Sequence, residues 1–280
     1  MRDYFYSAIE KYSLAGLQLI ATIFMTTYFG LESIGMIGGF TLLVAISTVI
    51  SEAGSSFIIM GGVVNISEKY SASLLLAFFL STMFYIILFF SAPAYTASFA
   101  TELDYTQSLR LYGLIVFSAP LQLIAYSGLI KAGKTKILSK INVLAWIIAF
   151  MFLVVLYVVD LRHHEYVVGY FVILSLVRAG CGLFVSFTFI KYKLPKLRDI
   201  DLKYRLSIVI SQIANTITVN IWTYMVAVMV SIEANAILGI FSKLRDLVSG
   251  NLSHAIHRIV YVNIPDLSIA GKRKLIMTWL

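Results

Sequence analysis

An arginine lies in the middle of an apolar run, in ILSLVRAGCGLF, and Arg178 is the first residue here whose type could do chemistry. A mid-membrane arginine costs about 2.5–3.5 kcal/mol on insertion scales, so it faces a cavity or a partner. Its planar fork of donors suits phosphate, so one reading is contact with an anion. The other is a structural pair with Glu52 or Asp246, or a helix offset that lets the side chain snorkel. Lys243, Asp246, Gly250, His254 and His257 follow at spacings of three and four, which puts them on one helix face. Such a stripe either lines an aqueous lumen or marks an amphipathic helix lying on the membrane surface. Arg245 falls off that face and is expected near Glu233. Gln212, Asn215, Thr216 and Thr223 share another face, with Asn220 adjacent. They either hydrogen-bond hydroxyl groups of a ligand or join helices. Gln18, Thr22 and Thr26 pose the same choice. Glu52 is an acid that burial could poise to take up and release protons, or it is simply a helix-end acid.

Other chemistries find little support. Cys181 is the one cysteine, which excludes an internal disulfide framework and a CxxC metal knuckle. Four histidines give no HExxH spacing. No catalytic residue, metal site or cofactor is expected.

These residues must be positioned by membrane helices. The chain has 280 residues, 60% of them hydrophobic and only 13% charged, with mean hydropathy +0.89. So few charges cannot cover a soluble surface, and apolar runs of about 20 residues recur along the chain. The net charge of +8 sits in short loops between those runs. That is the positive-inside pattern, not a nucleic-acid surface, and no nucleic-acid partner is expected.

Eight spans are expected: Tyr12–Phe29, Ile34–Met60, Ser71–Ala92, Leu109–Ile130, Ile137–Val159, Tyr166–Ile190, Leu206–Val230 and Ala236–Val260. Connections after spans one, three, five and seven are slightly acidic, whereas those after four and six are strongly basic. Every strongly basic segment then falls on one side, which places the N-terminus in the cytoplasm. The longest polar run, KYKLPKLRDIDLKYR, reads as a cytoplasmic basic linker over 191–205. It divides an N-terminal six-helix lobe, 1–190, from a partial C-terminal lobe, 206–280. The latter holds two helices and the start of a third. A weak internal repeat supports two lobes: Glu32, Gly38 and Phe40 recur at the same spacing as Glu233, Gly239 and Phe241.

Two stretches resemble a known family. TTYFGLESIGMIGGFTLLVAISTVISEAGSSFIIM resembles the first and second spans of polysaccharide exporters, through Gly30, Gly35, Glu52 and Gly54. SIEANAILGIFSKLRDLVSGNLSHAIHRIVYVNIPDLS resembles the matching region of their second half, through Gly239, Phe241, Pro265, Leu267 and Ser268. The family is the O-antigen and lipid-linked oligosaccharide flippases of the multidrug/oligosaccharidyl-lipid/polysaccharide exporter superfamily. The resemblance implies an all-α, polytopic membrane helix bundle with a MATE-like exporter fold, here a complete first six-helix lobe and part of a second. It implies a multi-pass protein of the bacterial inner membrane that flips a polyprenyl-pyrophosphate oligosaccharide for surface polysaccharide or O-antigen synthesis, and not an enzyme. Arg178 would then meet the pyrophosphate. Lys243, Asp246, His254, His257, Gln212 and Asn215 would line the same cavity. Expected partners are the lipid-linked substrate, the bilayer, and the polysaccharide polymerase and chain-length machinery. The alternatives are a cation-coupled multidrug exporter of the same superfamily and a membrane enzyme of polysaccharide assembly.

Overall fold

The computed structural model describes residues 2–61, 66–99, 101, 103–161, 163–193 and 202–245; for 2–15, 66, 164, 202–204, 243 and 245 it describes the backbone alone. The elements are α1 (Arg2–Phe29), α2 (Leu31–Glu52), α3 (Ser55–Gly61), α4 (Ile66–Thr96), α5 (Thr106–Tyr112), α6 (Leu114–Lys131), α7 (Thr135–Val158), α8 (His164–Phe189), α9 (Leu202–Met229) and α10 (Ile232–Arg245). No strand occurs among the described residues. The chain forms two packing units. One is Met1–Leu19 with Ser242–Leu280, and the other is Ile20–Phe241. In the first, the described backbone is helical; all that follows concerns the second.

Five helical stretches are long and apolar enough to cross a membrane: Leu31–Glu52, Ser67–Thr96, Thr106–Lys131, Thr135–Val158 and Glu165–Phe189. They correspond to expected spans two to six. The distribution of residue types agrees with a lipid solvent. Phe79, Phe90, Val158 and Phe184 are exposed. Buried positions include Ser73, Ser118, Ser127, Ser175 and Ser186. In lipid there is little hydrophobic drive between helices, so small residues and interhelical hydrogen bonds hold the interior. The Ser118 and Ser175 hydroxyls meet at 2.6 Å, joining α6 to α8. The Tyr70 and Ser186 hydroxyls join α4 to α8. Tyr126 donates to Asn142 Oδ1 at 2.9 Å, joining α6 to α7.

Three boundaries differ from those expected. The connection expected between Phe29 and Ile34 reduces to Gly30, whose φ of 87° is open to glycine at little cost; Leu31 already begins α2. Span two is broken: Ala53 and Gly54 both have positive φ, 51° and 67°, so the ladder ends at Glu52 and restarts as α3. The 191–205 linker is shorter than its polarity suggests, since Leu202–Arg205 belong to α9.

α9 lies along α2, and the start of α10 meets α2 at Gly35 and Gly38. A methyl group on Gly35 would sit 1.8 Å from the Ile232 carbonyl oxygen, and one on Gly38 would sit 2.7 Å from Asn235 Nδ2. Asn235 is 1% exposed and donates from Nδ2 to the Gly35 carbonyl at 2.8 Å. The two segments matched in the repeat therefore open helices that touch each other. The match does not extend to packing, because a methyl group on Gly239 would meet nothing within 4 Å. Asn235→Ala should lower unfolding stability by about 0.5–1.5 kcal/mol, measured in detergent, by removing this one interhelical bond.

Candidate functional site

Arg178 lies fifteen residues into the 26-residue α8, so the helix carries it well inside the span. The face it occupies is turned toward α6 and α7. Its guanidinium carbon stands 5.7 Å from the Trp146 ring centroid, over a side chain that α7 buries. Tyr126 of α6 and Tyr170 of α8 are close enough to interact electrostatically with it. Arg178 is half-buried, and its Nε has no hydrogen-bond partner. The Tyr170 hydroxyl is likewise buried without one. No carboxylate among the described residues pairs with Arg178. A cation over an indole recovers about 0.5–2 kcal/mol, less than a mid-span arginine costs to insert. The seam thus holds a cation whose charge its own residues leave uncompensated.

Glu52, offered by the sequence as that counter-charge, is committed elsewhere. It is 2% exposed and folds back over the break in span two. One carboxylate oxygen accepts the Gly54 N–H at 3.0 Å and the other the Ser56 N–H. These are amides that α3 would otherwise leave unsatisfied, so Glu52 is a helix-end acid.

Arg205 completes the break, and sequence reasoning missed it by counting it among the linker's solvated cations. It is 2% exposed. Nη1 donates to the Ala53 carbonyl at 3.1 Å and to Ser55 Oγ at 2.8 Å, while Nη2 donates to Ser73 Oγ at 3.1 Å. One side chain from α9 therefore ties the left-handed turn, the start of α3 and α4 together. The carbonyls freed by a broken membrane helix need partners, and this arginine supplies them from within the protein. Its only sequence signal was its position just before an apolar run.

The α9 residues have separate surroundings. Gln212 is half-buried with Oε1 lacking a partner, and Asn215 is exposed. Thr218 bonds to the Ala214 carbonyl at 2.8 Å, Asn220 to that of Thr216 at 2.9 Å and Thr223 to that of Asn220 at 2.7 Å. Of the expected face, Thr223 and the adjacent Asn220 are satisfied within their own helix. α9 packs on α2, whereas Arg178 is held in the α6–α7–α8 seam, and among the described residues no hydrogen bond or ion pair joins Arg178 to Gln212 or Asn215. Lys243 is described by backbone alone, and Asp246, His254 and His257 lie outside the described residues.

Contacts also sort the charges to two ends of the bundle. Lys131 donates to the Met60 carbonyl at 3.2 Å, Lys193 Nζ lies 3.5 Å from Glu68, and Arg205 reaches Ser73. These basic groups share one end. At the other, Tyr28 donates to Asp160 at 3.0 Å. No group of three or more metal-ligating side chains forms among the described residues.

No protein-family model, no curated protein and no solved structure matches this chain.

Proposed function

We propose that this chain is a transporter, not an enzyme. In this reading it flips a polyprenyl-pyrophosphate-linked oligosaccharide across the bacterial inner membrane for surface polysaccharide or O-antigen synthesis, with its N-terminus in the cytoplasm. The observation that carries the reading is Arg178, a mid-span guanidinium that no described carboxylate neutralises and whose Nε lacks a partner. An arriving pyrophosphate would supply the missing charge in a geometry that guanidinium matches. The gathering of Lys131, Lys193 and Arg205 at one end of the bundle supports the orientation. The unpartnered Gln212 carbonyl and exposed Asn215 support a polar path for sugars along α9. Alternating access would then move the anionic head past the protein while the polyprenyl tail stays in lipid.

Arg178→Ala should cut export of surface polysaccharide about 10- to 100-fold in a complementation assay, the scale of one lost charge-assisted contact. Arg178→Lys should retain part of it, because the charge remains while the fork is lost. Unchanged export by Arg178→Ala, at wild-type expression, would remove the main support for the reading.

A further inference from the structure

The lipid-facing side of the α7–α8 seam carries a groove of about 450 Å³. Ile137, Lys140 and Leu144 of α7 line one wall, and Gly180, Cys181 and Phe184 of α8 the other. We propose that it is a binding site for an anionic glycerophospholipid, with an acyl chain along the apolar wall and the phosphate at Lys140 and Lys136.

The groove lining is almost entirely apolar, with Lys140 its one charged residue and Lys136 beside it on α7. Lys136 and Lys140 are exposed, one turn apart near the start of α7, while Leu144 continues the wall deeper into the span. The Lys134 ammonium lies 4.7 Å from the Phe189 ring centroid, so the end of α8 joins the same basic rim. Gly180 keeps the floor open, since a methyl group there would meet nothing within 4 Å. Basic pockets between membrane helices on the cytoplasmic side are recognised sites for acidic headgroups. A neutral lipid would fill the apolar wall equally well and leave the lysines unused. The inference does not depend on what the protein transports, and it leaves Arg178 out.

Cys181, the chain's one cysteine, lines the groove and reports its occupancy. The full chain in a neutral detergent is titrated with phosphatidylglycerol or phosphatidylcholine, and alkylation of Cys181 by N-ethylmaleimide is followed by intact mass. Phosphatidylglycerol should slow the reaction more strongly, by about fivefold for each lysine engaged. Lys140→Gln should shrink that preference and Lys140→Arg keep it. Gly180→Leu should slow alkylation without added lipid. If Lys140→Gln unfolds the protein, Lys136→Gln and the wild-type comparison decide the question. Equal protection by the two lipids would overturn the proposal, as would a preference untouched by both lysine substitutions. Protection by a polyprenyl phosphate and not by phosphatidylglycerol would also overturn it. Export assays read none of these outcomes, so this site and the transport reading can fail separately.

Discussion

Gly35→Ala should destabilise the protein by about 3 kcal/mol or more, although it adds a single methyl group. The new carbon would lie 1.8 Å from the Ile232 carbonyl oxygen and 2.7 Å from its carbonyl carbon. Both are backbone atoms, so no rotamer change relieves the clash and α10 must move off α2. Overpacking usually costs about 1–3 kcal/mol, and the upper end applies where the neighbour cannot yield. Displacing α10 also strains the Asn235 bond to the Gly35 carbonyl. Gly38→Ala should cost less, because its methyl meets only the flexible end of Asn235, at 2.7 Å from Nδ2. Combining Gly38→Ala with Asn235→Ala should cost less than the sum, since both disturb one contact. Gly61→Ala, with nothing within 4 Å of the added carbon, is the control. Thermal unfolding in one detergent ranks the series. A Gly35→Ala protein as stable as the control would mean that α10 does not pack on α2 in this way.

Arg205→Met should cost about 3–5 kcal/mol while keeping most of the side chain's volume. The guanidinium serves three acceptors on two helices and the turn between α2 and α3. Ser55 and Ser73 can turn their hydroxyls elsewhere, but the Ala53 carbonyl sits in a left-handed turn. Hydrogen bonds to charged groups contribute about 1.5–3 kcal/mol, and stranding a buried acceptor adds its desolvation cost. Arg205→Lys should recover less than half, because one ammonium cannot span the same acceptors. Hydrogen exchange should rise first at α3, the seven-residue helix that Arg205 and Glu52 pin at its start. If Arg205→Met melts with the wild type, the Ala53 carbonyl has another partner and the latch is dispensable.

These two sites were legible to different degrees. The five apolar spans followed from hydropathy, a signal summed over about 20 residues that survives local error. The break in span two was written in SEAGSS: an acid, a glycine and three serines inside an apolar run are stop and restart signals. Reading the span straight through from Ile34 to Met60 hid it. Gly35 stood out only through the family resemblance, yet Gly35, Gly38 and Gly39 form a small-residue stripe of the kind membrane helices use to approach closely. Arg205 was not legible. It stood in a run of six basic residues, and only the fold shows that one of them turns inward. Arg178 was recognised by its burial cost, but its seat over Trp146 depends on a helix remote in sequence, which spacing cannot give. Polar periodicity in α9 was real, although part of it is taken up by its own backbone carbonyls.

The glycine surface of α2 has a consequence for biosynthesis. Asn235 closes on Gly35 across 200 residues of chain. At about 5–20 residues per second, the ribosome delivers that partner roughly 10–40 s after α2 has been made. Throughout that interval the notch stands open to whatever the insertion machinery places beside it. The docking of α10 on α2 is therefore a late step of biosynthesis, and variants along this stripe prolong the time for which the notch is uncovered.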